Sequence, residues 1–314
     1  MNWKLKAAIQ NFVSLLPHET SYSTYYWLQR HLGALQNFSP IGRLYAGINI
    51  YKQILNSGQS GENKTFYEVG TGRAPIAPLA YWLMGAKNTI TIDLNPYVKT
   101  ELIYDSLEYI KNNKEEVIEL FGPLLVQERL NRIIDFTKNM DFTLEQFLDL
   151  CSIEYIAPGD ACNTNLANNS IDYFTTCAVF EHIEPDILEK IVLEGNRIIK
   201  NNGIFINYID YSDHFSGSDK TISAINFLQY SENQWKKYAD NRYMYMNRLR
   251  HDDYINLFKS QGHCILAENT EIDKQSQEIL KLGSLKLNEQ FKEKSLETLS
   301  VRGAMIVSMK TVHE

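Results

Sequence analysis

From about residue 60 onward, hydrophobic and polar positions alternate in two rhythms. Short apolar runs that stop at a turn, "KTFYEVG", "TITIDLN", "SIEYIAPGD", "IDYFTTCAVF" and "GIFINYID", have the length and β-branched or aromatic content of strands. Helical repeats lie between some of them. "PIAPLAYWLMGA" is an apolar helix closing near Gly85. From Pro185 to Lys200, Leu188, Ile191, Val192, Gly195, Ile198 and Ile199 recur at helical spacing, with Gly203 as the expected stop. Strands that alternate with helices imply βαβ crossovers and a parallel sheet, hence an α/β fold. Two later segments, "HCILAENTEI" and "RGAMIVSMK", read as strands at the far edge of that sheet.

Three regions fall outside the alternation. Residues 1 to 60 read as a helical N-terminal extension, with a turn at Pro17 and the polar linker "NSGQSGEN" before the first strand. Its opening, "MNWKLKAAIQNFVSLLP", has an apolar stripe interrupted by Gln10 and Asn11, which predicts a helix packed on its own chain rather than a secretory signal. Residues 97 to 152 and 211 to 260 are long helix-patterned insertions, the second rich in aromatics. Insertions of this length in a compact α/β domain carry function or form a cap.

Composition narrows the partners. Hydrophobic residues make up 44% and charged residues 22%, an ordinary globular balance with no integral membrane segment. The net charge of -7 and the lack of a Lys/Arg run exclude nucleic acid held by phosphate neutralisation and favour a small-molecule substrate. Cys151, Cys162, Cys177 and Cys264 are irregularly spaced and away from histidines at ligand spacing, so reduced thiols, a cytoplasmic location and no metal are expected.

The chemistry concentrates at strand ends. In "TFYEVGTGRAP" two glycines follow a strand and precede a helix, which lets backbone N–H groups approach a ligand. A dinucleotide fingerprint would begin at Gly70 and Gly72, but its third glycine falls on Pro75, and Glu68 would repel a phosphate. Asp93, about 20 residues on at the end of the second strand, can accept from both hydroxyls of a ribose. Asp160, at the end of the third, can accept from an adenine amino group. A nucleoside ligand with a cationic or neutral end fits these groups better than a phosphate ester does.

In order and spacing, "EVGTGRA", "TIDLN", "GDA" and "IDYFTTCAVFEHI" resemble the motifs of class I S-adenosylmethionine-dependent methyltransferases, over about residues 65 to 210. Ala74 stands where that family often has a third glycine. The resemblance implies a Rossmann-like, doubly wound, seven-stranded and mostly parallel sheet with an antiparallel edge strand supplied by "RGAMIVSMK". It also implies S-adenosyl-L-methionine as cofactor and residues 61 to 314 as the catalytic domain. Glu68, Gly70 and Gly72 would surround the methionine portion and ribose, Asp93 the ribose hydroxyls, Asp160 and Ala161 the adenine. Cys177 and Ala178 would lie beneath the sulfonium, and Thr71 and Leu94 join the cofactor-binding positions.

A sulfonium methyl is already activated, so the protein mainly aligns an acceptor, expected to be a sugar or metabolite hydroxyl, and excludes water. A base helps such an acceptor. His182 in "FEHIEP", with Asp213 and His214 in "YSDHF", are the candidates, set against a pocket-shaping role for Glu181 and His182 and structural hydrogen bonds for His214. Arg248 and Arg250 in "YMYMNRLRHDDY" either grip an acceptor anion or belong to a helix face beside core aromatics. Two other functions remain open at this point: a nicotinamide-dependent oxidoreductase, disfavoured by Pro75 and Glu68, and a non-catalytic relative that kept the cofactor fold.

Overall fold

The structure, a computed structural model, describes residues 1–138 and 141–311. Seven strands form one sheet: β1 Thr65–Val69, β2 Asn88–Ile92, β3 Ile153–Ile156, β4 Ile171–Cys177, β5 Ile199–Asp210, β6 His263–Ile272 and β7 Val301–Lys310, in the order β3-β2-β1-β4-β5-β7-β6. The strands β1 to β5 pair in parallel. Strand β7 runs antiparallel to both β5 and β6. The antiparallel strand expected at the edge therefore lies one place in from it. Burial explains the placement: Gly303 to Ser308 of β7 are all buried, whereas most of β6 is exposed, as suits an edge strand.

Among the described residues thirteen α-helices accompany the sheet: α1 Trp3–Ser14, α2 His18–Leu32, α3 Ile41–Asn56, α4 Ile76–Leu83, α5 Thr100–Asn112, α6 Lys114–Phe121, α7 Gln127–Phe136, α8 Leu144–Leu150, α9 Pro185–Ile198, α10 Glu232–Ala239, α11 His251–Ser260, α12 Lys274–Lys281 and α13 Leu296–Ser300. On one face of the sheet, α3 and α4 pack with Phe66, Tyr173, Ile204 and Ile206 of the strands. On the other, Leu188, Ile191, Val192 and Ile198 of α9 meet Tyr67, Phe174 and Phe205. Helix α9 ends at Ile198 and the chain passes straight into β5, so Gly203 is a strand residue rather than a helix stop. A Cβ on Gly203 would sit 2.6 Å from the Asp172 carbonyl oxygen, so close backbone packing is what requires glycine there.

The two insertions differ in kind. Residues 97 to 152 build α5 to α8, and Leu107, Val117, Leu130, Ile133 and Phe147 are fully buried in the same core as α4. That segment is a packed layer. The second insertion yields a separate aromatic core in which Trp3 of α1 meets Phe215 at 5.4 Å, Tyr238 at 4.8 Å and Trp235 at 6.3 Å between ring centroids. Helix α1 is thus held on its own chain, and α11, at the end of the expected insertion, packs on β6 and β7 as part of the sheet's helical layer. Among the described residues, no helix is long and apolar enough to cross a membrane.

Candidate active site

The strand order reverses between β1 and β4, and a cleft opens there at the carboxyl ends of the strands, the place where open α/β sheets bind ligands. At that point β1 stops and the chain turns through Gly70 (φ +93°) and Gly72 (φ +67°). A Cβ on Gly70 would lie 2.4 Å from Val179 Cγ2, so both backbone conformation and space exclude a side chain. The Gly70 N–H donates to the Ile92 carbonyl at 2.8 Å, which ties the turn to β2.

Glu68 is buried at the end of β1, where its carboxylate accepts from Thr91 Oγ1 at 3.0 Å, and Thr91 Oγ1 in turn lies 2.7 Å from Thr71 Oγ1. Burial pushes its pKa up to about 8, with the Thr91 hydrogen bond and Arg43 opposing. Asp93 follows β2 and accepts from the Gly72 N–H at 3.0 Å and, through Oδ1, from the Asn95 N–H at 3.3 Å. Burial raises the Asp93 pKa, and these amides oppose the shift. The Gly159 N–H donates to the Asp93 carbonyl at 2.9 Å, which brings the loop after β3 alongside. Asp160 on that loop is exposed, accepts from the Cys162 N–H at 2.8 Å and stands next to half-buried Ala161. Leu94 is 72% exposed. Beyond β4, Ala178 takes a left-handed backbone (φ +54°) while donating to the Tyr208 carbonyl at 2.9 Å.

Two cavities meet at this turn. One, of about 310 Å³, is lined by Glu68, Gly70, Thr71, Gly72, Arg73 and Cys177, closed over by Leu35, Phe38 and Arg43 of the N-terminal segment. Asp93, Leu94, Asp160, Ala161 and Ala178 lie outside that lining. The second, of about 290 Å³, shares Gly72 and Arg73 and is walled by Tyr22, Tyr25, Tyr97, His182, Arg242 and Tyr243. Its walls are rigid: Tyr25 stacks on Tyr243 at 3.9 Å, Tyr97 donates to Tyr22 Oη at 2.6 Å, and the Arg73 guanidinium lies 5.8 Å from the Tyr25 ring centroid.

The candidate bases separate. His182 and His214 come together edge to face, with ring centroids 4.9 Å apart, and Glu181 joins them. His182 donates from Nδ1 to the Tyr245 carbonyl at 2.7 Å, which leaves the lone pair on Nε2. Burial and the neighbouring His214 push the His182 pKa down to about 4. Burial lowers that of His214, but Asp210, Glu181 and Asp213 outweigh it and raise the pKa. Asp213 is used otherwise: its oxygens accept from the Phe215 N–H at 2.9 Å and from Asn226 Nδ2 at 2.8 Å, so it holds a loop together. Arg248 and Arg250 are buried as well. Arg248 donates to the Phe227 and Tyr230 carbonyls and to Glu232, Arg250 to the Tyr211, Leu299 and Val301 carbonyls, and neither guanidinium is left for an acceptor anion.

Residues 132–207, from within α7 into β5, match the family described as a methyltransferase domain. Over those residues the chain is similar to a methyltransferase domain. The match begins after the glycine turn, so Glu68, Gly70, Gly72 and Asp93 lie outside it. No curated protein matches this chain. Among solved structures, it is similar to an S-adenosylmethionine-dependent methyltransferase from Methanosarcina mazei (13% identity, 83% of this chain and 98% of that one, TM-score 0.44). It is also similar to the geranyl diphosphate C-methyltransferase of Streptomyces coelicolor A3(2) (12% identity, 85% and 80% covered, TM-score 0.45). Both TM-scores lie below 0.5, so nothing about the substrate of this chain follows from them.

Sequence reading missed Arg43, Arg73 and the tyrosines of the second cavity. Tyr22, Tyr25 and Tyr243 have as local signal only the aromatic density of "SYSTYYWLQR" and "NRYMYMNRLR", and Arg43, Arg73 and Tyr97 lie outside those stretches. What makes them a site is that α2, the loop after β2 and residues 242–245 converge over the glycine turn.

Proposed function

We propose that this chain is a methyltransferase that transfers a methyl group from S-adenosylmethionine to a hydroxyl of a small-molecule acceptor, a sugar or similar polar metabolite, bound in the tyrosine-walled cavity. In this reading Glu68, ionised when the ammonium of the methionine portion binds beside it, and Arg43, facing the carboxylate, give one cavity two opposite charges for a zwitterion. Gly70, Thr71 and Gly72 bring backbone against the cofactor, and Asp93 accepts from the ribose hydroxyls. Leu94, Asp160 and Ala161 border the adenine, and Cys177 with Ala178 the sulfonium.

The observation that carries the acceptor assignment is that the two cavities share Gly72 and Arg73 while His182 stands in the wall of the second. Tyrosine hydroxyls offer donors and acceptors for a polyol, and their rings offer flat faces for its C–H groups. Bound S-adenosylmethionine would supply an activated methyl group, the tyrosine-walled cavity would align the acceptor oxygen with it, and the Glu181, His182 and His214 cluster would take the hydroxyl proton. Positioning and water exclusion supply most of the rate.

Label transfer from methyl-labelled S-adenosylmethionine to a panel of polyols and sugars, run on the wild type and on Tyr243→Ala, tests this reading. The expected result is methylation only of acceptors with free hydroxyls, with acceptor KM raised at least about tenfold in the variant and S-adenosylhomocysteine affinity retained. A variant that weakens S-adenosylhomocysteine as much as the acceptor would assign the second cavity to the cofactor instead.

A further inference from the structure

Glu181, His182 and His214 form a cluster whose physical state needs explaining. One ligand atom from each lies within 4.8 Å of the other two. Glu181 is 2% exposed, and neither of its oxygens has a hydrogen-bond partner. His214 Nε2 is likewise buried without a short hydrogen bond, and among the described residues its only charged partner is Asp210 Oδ2 at 3.4 Å. His182 has Nδ1 fixed on the Tyr245 carbonyl, so its Nε2 lone pair is turned to the other side of the ring. A backbone carbonyl on the far nitrogen is how proteins orient histidines that bind metals. Buried acceptors without hydrogen bonds on Glu181 and His214, beside the Nε2 lone pair of the less buried His182, leave a cost that a cation would reduce.

We propose that Glu181, His182 and His214 bind one divalent transition-metal ion beside the acceptor cavity. The proposal rests on the acceptor reading above and departs from the absence of a metal expected on sequence grounds. Two imidazoles and one carboxylate select a first-row ion such as Zn2+, Mn2+ or Fe2+ over Mg2+ or Ca2+, which take mainly oxygen ligands. Ligand atoms around one such ion, at metal–ligand distances near 2.1 Å, stand roughly 3 to 4 Å apart, so a small inward rotation of side chains closes the site. Three protein ligands leave at least one position open, and His182 places it toward the acceptor cavity. An acceptor hydroxyl there would be polarised and held in place by the ion, and with the cluster's lone pairs committed to the ion its proton would pass to Asp210 Oδ2 rather than to the cluster. Asp210 Oδ2 supplies a second carboxylate at the rim, since Oδ1 is taken by Ser212.

The test uses the full chain, stripped with chelator and titrated with Co2+ as the probe, with and without S-adenosylhomocysteine. Visible d–d absorption saturating at one Co2+ per chain is expected, with affinity at least about tenfold weaker in Glu181→Gln, which keeps the side chain's shape, and in His214→Ala. Absence of the absorption, or an unchanged affinity in either variant with wild-type circular dichroism, overturns the site. Cofactor binding in the same samples separates the two readings. S-adenosylhomocysteine bound without Co2+ refutes the metal alone, and Co2+ bound without S-adenosylhomocysteine refutes the cofactor assignment while the metal stands.

Discussion

Gly72 donates its backbone N–H to the carboxylate of Asp93 at 3.0 Å, so the glycine turn after β1 and the acid after β2 are a single unit. The bond fixes the Asp93 side chain before any ligand arrives, and a carboxylate with four lone-pair sites still has capacity for ribose hydroxyls. Preorganisation of this kind lowers the ordering cost of binding.

Gly70→Ala tests how tightly the turn is specified. The variant must adopt φ +93° with a side chain and place a methyl 2.4 Å from Val179 Cγ2. We expect a loss of about 2–4 kcal/mol in urea unfolding. Adding Val179→Ala should recover only part of it, because the backbone strain stays. Full recovery would mean that the steric contact alone matters.

Glu68 predicts a pH dependence. Folded, it keeps its proton to about pH 8, whereas its ordinary carboxyl pKa is 4.5. Folding thus raises the pKa, and the stability this brings is complete below pH 4.5 and lost as pH climbs to 8. The span is worth a few kcal/mol. Glu68→Gln should flatten the stability curve between those limits, measured by urea unfolding at a series of pH values, and a wild-type curve rising across the window would contradict the protonation state. Binding a cationic ammonium beside Glu68 favours its ionised form. Cofactor binding at pH 7 should therefore release protons, visible as a binding heat that changes with buffer ionisation enthalpy.

Trp3→Ala probes the second core. The Trp3 side chain is buried among Phe215, Trp235 and Tyr238, while its backbone N–H, which the truncation keeps, donates to Asp219 Oδ2 at 2.8 Å. Truncation should cost about 3–5 kcal/mol of local stability. Hydrogen exchange should then speed up through residues 225–239 and stay unchanged in β1, β4 and β5. Uniform acceleration across the sheet would mean that the two cores unfold together.

The strands were legible because each is an apolar run between turn residues, and the site residues nearest them were legible with them. Glu68, Gly70, Gly72 and Asp93 are within three residues of a strand end. The position of β7 was not, because pairing with both β5 and β6 is decided across a long stretch of chain and by which strand can tolerate exposure. Asp213 and His214 look alike as bases in sequence, yet only His214 reaches His182, since Phe215 and Asn226 engage the Asp213 carboxylate. Tyr22, Tyr97 and Tyr243 come together in one cavity, and Arg43 joins Glu68 in the other, only through tertiary packing, which local aromatic density does not reveal.

Isothermal titration of S-adenosylhomocysteine into the wild type and Asp93→Ala addresses the central claim, that the unit of Gly72 and Asp93 holds the nucleoside of the cofactor. The account predicts one site per wild-type chain and a loss of about 1.5–3 kcal/mol, roughly ten- to hundredfold, in the variant. Equal affinity in a folded Asp93→Ala, or no binding by the wild type, would contradict it.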